Sequence, residues 1–111
     1  MCAHYTVGTL RIVAADLRFE WDERKAIANR RKHGVSFEEA RSVFLDENAI
    51  RIHDPDHSVG EDRFVLLGLS LHLRVLTVCH CYRSNDDVIR IISARRANKR
   101  ERRQYENRNR T

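Results

Sequence analysis

The sequence has 111 residues, of which 41% are hydrophobic and 33% are charged. That length predicts one domain, with a core that needs no disulfide or structural metal. No apolar run approaches the roughly 18 residues of a membrane span, and the N-terminus lacks the features of a signal peptide. Three cysteines without a disulfide framework indicate the reducing cytoplasm. A pI of about 9.6 predicts a polyanionic partner, either nucleic acid or an acidic protein, rather than a membrane.

Residues 1–18 are predicted to be an N-terminal extension, either disordered or added by a misassigned start codon, although residues 9–13 could form an edge strand. A single domain is predicted for residues 19–111. It opens with a short strand-like segment at residues 19–22, whose last residue, Asp22, is a suitable helix N-cap.

Two capped helices are predicted next. The first covers residues 22–33 and ends before Gly34, because glycine readily adopts the left-handed conformation that closes a helix. Ser36 and Glu39 have the spacing of a capping box, which predicts a second helix ending near Asp46. Four apolar side chains share one stripe of this second helix: Phe37, Ala40, Val43 and Phe44.

From residue 49 onward, the apolar pattern becomes that of strands. A short alternating strand, a polar loop and three long strands are predicted in turn, at residues 49–53, 54–62, 63–70, 74–82 and from Val88 onward. A basic helix follows, because Asn98 and Glu101 have the spacing of another capping box, and it extends to about Arg108.

This order of elements predicts the fold class. Two helices, a meander of three long strands and a C-terminal basic helix indicate an α+β fold. In this fold the helices pack against one twisted antiparallel sheet, which also contains one or two short strands. No internal repeat is present, and the basic tail is the one low-complexity segment.

Positive charge is concentrated at the C-terminal end. Residues 95–111 contain eight Arg or Lys and two Glu, a net charge of +6, whereas the whole chain carries +5. Arginine binds phosphate through a planar fork of donors, so several on one surface would neutralise several phosphates. Six cations form this group: Arg95, Arg96, Lys99, Arg100, Arg102 and Arg103. The alternative interpretation is a solvated helix face that keeps the chain soluble.

A second candidate lies at the end of the first helix, at Lys32 and His33. Histidine exchanges a proton near neutral pH, and the neighbouring lysine could hold a phosphate. The alternative is a polar helix end, where cations interact favourably with the helix dipole. The pattern alone leaves both interpretations open.

No metal or other cofactor is predicted. Cys79 and Cys81 face one side of a strand and His80 faces the other, so the three cannot converge on one ion. The two cysteines are interpreted as small buried hydrophobic residues. The acidic loop at residues 54–62 lacks the twelve-residue calcium pattern, and no Gly-rich phosphate loop or nucleophile elbow is present.

Five segments are distinctive together in their order and spacing: residues 19–22 (FEWD), 32–40 (KHGVSFEEA), 54–58 (DPDHS), 62–64 (DRF) and 91–105 (from IISAR to Tyr105). With them, residues 19–106 closely resemble the BrnT-type toxins of bacterial type II toxin–antitoxin systems. The resemblance implies a RelE-like fold and metal-independent RNA cleavage that arrests translation in the cytoplasm. It also implies a BrnA-type antitoxin as partner. Operator DNA would be contacted only by the complex of toxin and antitoxin.

The resemblance and the chemistry together supply the candidate site. The predicted catalytic residues are His33 for proton transfer, and Arg63, Arg95 and Arg102 for phosphate and transition-state charge. Seven further residues are predicted to bind substrate: Lys32, Arg83, Arg90, Arg96, Lys99, Arg103 and Tyr105. The alternative function is a non-catalytic module whose basic face docks an acidic partner or nucleic acid.

Overall fold

The computed structural model describes residues 17–83, 85 and 87–108, which form a five-stranded sheet in the order β1-β5-β4-β3-β2. The strands are β1 (Arg18–Glu20), β2 (Ile50–Asp54), β3 (Arg63–Leu69), β4 (Val75–Arg83) and β5 (Val88–Arg96). The helices are α1 (Glu23–His33), α2 (Phe37–Ser42) and α3 (Lys99–Arg108). The predicted α+β fold is confirmed. The predictions for residues 1–16 lie outside the described residues.

The sheet differs from the prediction in one respect. β2 to β5 pair antiparallel, as the meander requires, but β1 pairs in parallel with β5, with Phe19 opposite Ile89. The sheet is therefore mixed rather than antiparallel throughout. The local pattern of apolar and polar residues cannot predict this pairing, because the two strands are about 70 residues apart in the chain. β1 also begins at Arg18, one residue before the predicted start of the domain.

The caps of α1 are those that the sequence predicts. The Asp22 carboxylate accepts the backbone N–H groups of Arg24 and Lys25 at 2.8 and 3.3 Å. Gly34 has a φ of 69°, and its N–H donates to the Arg30 carbonyl at 2.8 Å. A side chain at position 34 would strain this left-handed turn, so the position of the helix end is fixed locally.

The second helix is shorter than predicted, since a 3₁₀ turn at Val43–Leu45 replaces its last turn. Ser36 Oγ accepts the N–H of Glu39 at 3.0 Å, which is half of the predicted capping box. The Glu39 carboxylate does not return to Ser36. It is buried, forms an ion pair with Arg74, and accepts the Ser70 hydroxyl at 2.6 Å. This carboxylate therefore joins α2 to the β3–β4 turn instead of completing its own cap.

The helices pack on both faces of the sheet. Side chains from α2 and from the sheet form the main core on one face: Val35, Phe37, Ala40, Val43, Leu66, Leu76, Val78, Ile91 and Ala94. On the opposite face Ala97 and Tyr105 pack with Ile50 and Leu67 in a second, smaller cluster. We call this opposite side of the sheet the α3 face. Among the described residues, no helix is long and apolar enough to cross a membrane.

Candidate functional site

Arginines from neighbouring strands lie on the α3 face. Arg63 on β3 pairs with Cys81 on β4, which pairs with Arg90 on β5, so the three residues form one row across the sheet. Arg95 is paired with Thr77, further along the same face. Residues that pair on adjacent strands point to the same side, so this row carries its charge towards the side on which α3 packs.

Arg63 is a strand arginine of this face that has no acidic partner among the described residues. Its side chain is half-buried and makes no ion pair or side-chain hydrogen bond within the part of the chain that the structure describes. Burial raises the pKa of the Cys79 thiol, and the positive charge of Arg63 opposes that rise, which places the guanidinium near Cys79. A half-buried guanidinium without a carboxylate suits an external anion such as a phosphate.

The other two arginines at this end of the sheet have acidic partners. Arg90 lies 2.8 Å from the Glu20 carboxylate, and Arg83 lies 3.4 Å from the same group and 3.8 Å from Glu61. These carboxylates neutralise part of the charge that the sequence assigned to substrate binding. We call Arg63, Arg83 and Arg90 the rim group.

Arg95 is bound within the protein by Glu101. Its two terminal nitrogens donate to the two carboxylate oxygens at 2.7 and 2.9 Å. Glu101 also accepts the Thr77 hydroxyl at 3.0 Å and the Asn98 N–H at 2.9 Å, while Asn98 Oδ1 accepts the N–H of Glu101. The predicted capping box of α3 is therefore complete. The ion pair lowers the pKa of Glu101 and raises that of Arg95, so both stay charged near neutral pH.

Tyr105 and Arg102 also make contacts within the fold. The Tyr105 hydroxyl donates to Asp46 Oδ2 at 2.6 Å, and burial together with this carboxylate raises the pKa of Tyr105 to about 12. Arg102 donates to the Ala97 carbonyl at 3.1 Å, at the start of α3. The side chains of Glu101 and Tyr105 therefore hold α3 on the sheet, although the helix has no fully buried residue.

Asn29 determines where Lys32 and His33 lie. Its amide donates to the Ala94 carbonyl at 2.8 Å and accepts the Ala94 N–H at 3.1 Å, beyond the point where β1 stops pairing with β5. The N-terminal end of α1 lies near Arg90, since the pKa of Asp22 is lowered by its hydrogen bonds to backbone N–H groups and also by the charge of Arg90. Because Asn29, further along α1, contacts Ala94, further along β5, the helix α1 and the strand β5 run in the same direction. His33 lies one helical turn, about 6 Å, past Asn29, in the direction of the C-terminal end of β5.

The structure therefore places the predicted residues other than Tyr105 in two groups. His33 lies towards the same end of the sheet as the β5–α3 junction, although Ala26 of α1 packs with the main core and Tyr105 of α3 packs on the opposite face. We call the residues at this end the corner group: Lys32, His33, Arg95, Arg96, Lys99, Arg102 and Arg103. Arg90 and Arg96 are six residues apart on β5, so the corner and rim groups are roughly 20 Å apart along the strands. Arg63 is thus not gathered with the other three predicted catalytic residues. Lys32, Arg96, Lys99 and Arg103 are exposed.

Sequence reasoning missed a histidine–carboxylate pair beside the rim group. His57 Nδ1 lies 2.9 Å from Asp54 Oδ2, and Asp54 is the register partner of Arg63. The sequence pattern of residues 54–62 indicates only a polar loop, with acidic residues that resemble a cation site. Among the described residues, no group of three or more potential ligands is placed to hold a metal ion. The available signal was the Asp-Pro-x-His spacing, because Pro55 starts a 3₁₀ turn that brings the two side chains together.

Comparisons with known proteins give the family. A family model described as the ribonuclease toxin BrnT of type II toxin–antitoxin systems matches residues 21–101. Among solved structures, the crystal structure of the Brucella abortus ribonuclease toxin BrnT matches with a TM-score of 0.58 and 21% identity, and covers 75% of this chain and 99% of that chain. A search of curated proteins finds no match. At this identity the structural match shows the fold, whereas the family match spans most of the domain. The chain belongs to the BrnT family of ribonuclease toxins of type II toxin–antitoxin systems.

Proposed function

We propose that this toxin cleaves RNA without a metal ion, by attack of a ribose 2′-hydroxyl on the adjacent phosphorus, and so arrests translation in the cytoplasm. The observation that carries the proposal is the cationic α3 face in a member of a ribonuclease family, with Arg63 available for an anion. RNA supplies the phosphates that such a surface binds.

The reaction requires three kinds of group. One group must take the 2′ proton, cations must stabilise the charge that develops on the phosphoryl oxygens, and an acid or water must protonate the 5′ leaving oxygen. Arginine is suited to the second task because its planar fork binds two phosphoryl oxygens at once. The rim and corner groups both contain such arginines, and the proposal assigns them to RNA binding and charge stabilisation.

The corner group contains the histidine that the sequence proposes for proton transfer. His33 is partly exposed at the end of α1, beside the exposed side chain of Lys32. In this assignment Lys32 positions the substrate, and Arg95 and Arg102 face the phosphate. Arg95 must then keep its contact with Glu101 or exchange that carboxylate for the phosphate, because its terminal nitrogens already donate to Glu101.

Cleavage of a labelled RNA in EDTA tests the function and this assignment. Wild-type protein is expected to shorten the RNA. If the corner group binds the scissile phosphate, His33→Ala and Arg95→Ala reduce the rate on the order of 10²- to 10³-fold. Glu101→Gln is the matched control for Arg95, since it removes the ion pair but leaves the guanidinium. Full activity in both alanine variants, with normal folding, would contradict the assignment. An inactive wild type would contradict the function itself.

The family also implies an antitoxin partner. We propose a BrnA-type antitoxin that contacts the exposed cations of α3 through acidic side chains, and that makes the contacts of the complex with operator DNA. Induced expression with and without the neighbouring gene tests this part, and growth arrest relieved by that gene is the expected result. The non-catalytic binding module considered from the sequence is not favoured, because the matching family consists of ribonucleases.

A further inference from the structure

The pair formed by His57 and Asp54 has the geometry of an oriented base. His57 Nδ1 lies 2.9 Å from Asp54 Oδ2. A carboxylate can only accept a hydrogen bond, so Nδ1 carries the hydrogen and Nε2 of the neutral ring keeps a free lone pair. Nε2 has no hydrogen-bond partner in residues 17–83, 85 and 87–108. The Asp54 contact therefore selects the tautomer that can take a proton through Nε2.

Exposure separates His57 from His53, the neighbouring histidine on β2. The His57 side chain is 67% exposed, whereas the Asp54 side chain is only 21% exposed. His53 Nε2 contacts Asp62 at 3.3 Å and Ser58 at 3.5 Å, and its ring packs edge-on against Phe64. His57 thus presents a free nitrogen to solvent, while the orienting carboxylate is shielded.

Ser58 fixes this loop against β3. Its hydroxyl donates to the Asp54 carbonyl at 2.5 Å and accepts the backbone N–H of Arg63 at 3.0 Å. Asp54 and Arg63 are also register partners on β2 and β3. Ser58 therefore connects Asp54, which orients the imidazole, with Arg63, which carries the available guanidinium. The positions of Asp54, His57 and Arg63 are thus fixed relative to one another.

We propose that His57, in place of His33, is the catalytic base of the ribonuclease reaction, that Asp54 is its positioning residue, and that Arg63 binds the scissile phosphate. The inference rests on the proposed function. His57 Nε2 takes the 2′ proton as the O2′–P bond forms. The P–O5′ bond breaks, and the leaving oxygen takes a proton from water. The products are a 2′,3′-cyclic phosphate and a 5′-hydroxyl, and the imidazolium returns its proton to solvent. Arg63 stabilises the charge on the phosphoryl oxygens.

The charged groups around the imidazole suit this role. Asp54 on β2 would stabilise the imidazolium that forms, and Arg63 on β3 is near enough to attract the phosphate. The remaining titratable groups nearby are His53 on β2 and three acidic residues of the loop: Asp56, Glu61 and Asp62. Because His33 lies at the opposite end of the sheet, roughly 20 Å away along the strands, the two histidines cannot serve the same phosphate as base.

Single-turnover cleavage of a defined RNA oligonucleotide in EDTA tests the proposal. His57→Gln is expected to lower the rate by about 10² to 10⁴-fold, because it removes the base. A non-cleavable version of the same RNA, with a 2′-deoxy substitution at the cleaved position, measures binding alone. The affinity of His57→Gln for this RNA is expected to stay within about twofold of that of the wild type, because Arg63 still binds the phosphate. Asp54→Asn is expected to lower the rate less and to change the pH–rate profile, since an amide no longer selects the tautomer.

The controls separate a catalytic role from a structural one. His72→Gln changes an exposed histidine in the β3–β4 turn, and its rate is expected to equal that of the wild type. Imidazole in solution is expected to restore part of the activity of His57→Ala, which a folding defect would not allow. A His57→Gln rate within threefold of the wild type overturns the inference and leaves the proposed function standing. Absence of cleavage by the wild type overturns both.

Discussion

His80 is the residue with the most unusual surroundings. It is fully buried, and Phe44, Phe64 and Tyr82 surround its ring. Nδ1 lies 3.2 Å from the Val78 carbonyl, to which it donates, and Nε2 has no hydrogen-bond partner among the described residues. Burial lowers the pKa of His80 from 6.5 to about 4. The fold therefore holds this imidazole in its neutral form.

This shift predicts that the protein loses stability in mild acid. Between pH 6.5 and about 4 the unfolded chain binds a proton at His80 that the folded chain does not, so the free energy of unfolding falls as the pH falls. The difference between these two pKa values corresponds to roughly 3 kcal/mol across this window. Urea unfolding at several pH values should show a weaker pH dependence for His80→Phe, whereas His72→Gln should keep the wild-type dependence. If the free energy of unfolding changes equally with pH in all three proteins, His80 is not the source of the loss of stability in acid.

At the scale of the element, α3 depends on polar contacts. Glu101 connects the helix to Arg95 and Thr77, and Tyr105 connects it to Asp46. Asp46 Oδ2 also accepts the N–H of Leu69 at 2.8 Å, so one carboxylate serves α3 and β3 together. The basic helix is therefore fixed by contacts that its amphipathic pattern does not reveal.

Tyr105→Phe is expected to destabilise the protein by about 1 to 2 kcal/mol, because it removes a hydrogen bond to a charged acceptor and leaves Asp46 Oδ2 less satisfied. The measurement is the free energy of unfolding in urea. Tyr82→Phe is the matched control: its hydroxyl accepts from the exposed Arg51 at 3.1 Å, and its loss should cost less. A cost for Tyr105→Phe no larger than that for Tyr82→Phe would show that this contact does not hold α3.

The elements differ in how far the sequence predicts them. Residues three or four positions apart determine the caps of α1 and α3, so Asp22, Gly34 and Asn98 could be assigned from the sequence alone. The contacts of Asn29 with Ala94 and of Glu39 with Arg74 join distant segments, and no local pattern contains them. The same limit applies to the site, because the sequence shows the arginines but not the carboxylates that they contact in the fold.

At the scale of the whole molecule, the excess positive charge predicts salt-dependent binding of RNA. For single strands, the logarithm of the binding constant falls with the logarithm of the salt concentration by about 0.7 per phosphate contact. Arg63→Gln should reduce this slope by about 0.7, whereas Arg24→Gln on the exposed side of α1 should leave it unchanged. Filter binding of a non-cleavable RNA across a salt series measures both. An unchanged slope for Arg63→Gln would exclude a phosphate contact at this residue.

The parallel pairing of β1 with β5 has a consequence for synthesis of the toxin. β5 is the only strand that β1 pairs with in the described chain, so this edge of the sheet forms after residues 88–96 have been made. Contacts so far apart in sequence also slow folding, because a long loop must close first. An incomplete chain that ends before Val88 has neither a partner for β1 nor Arg90 to meet Glu20. We therefore expect the toxin to reach its working fold only at the end of translation.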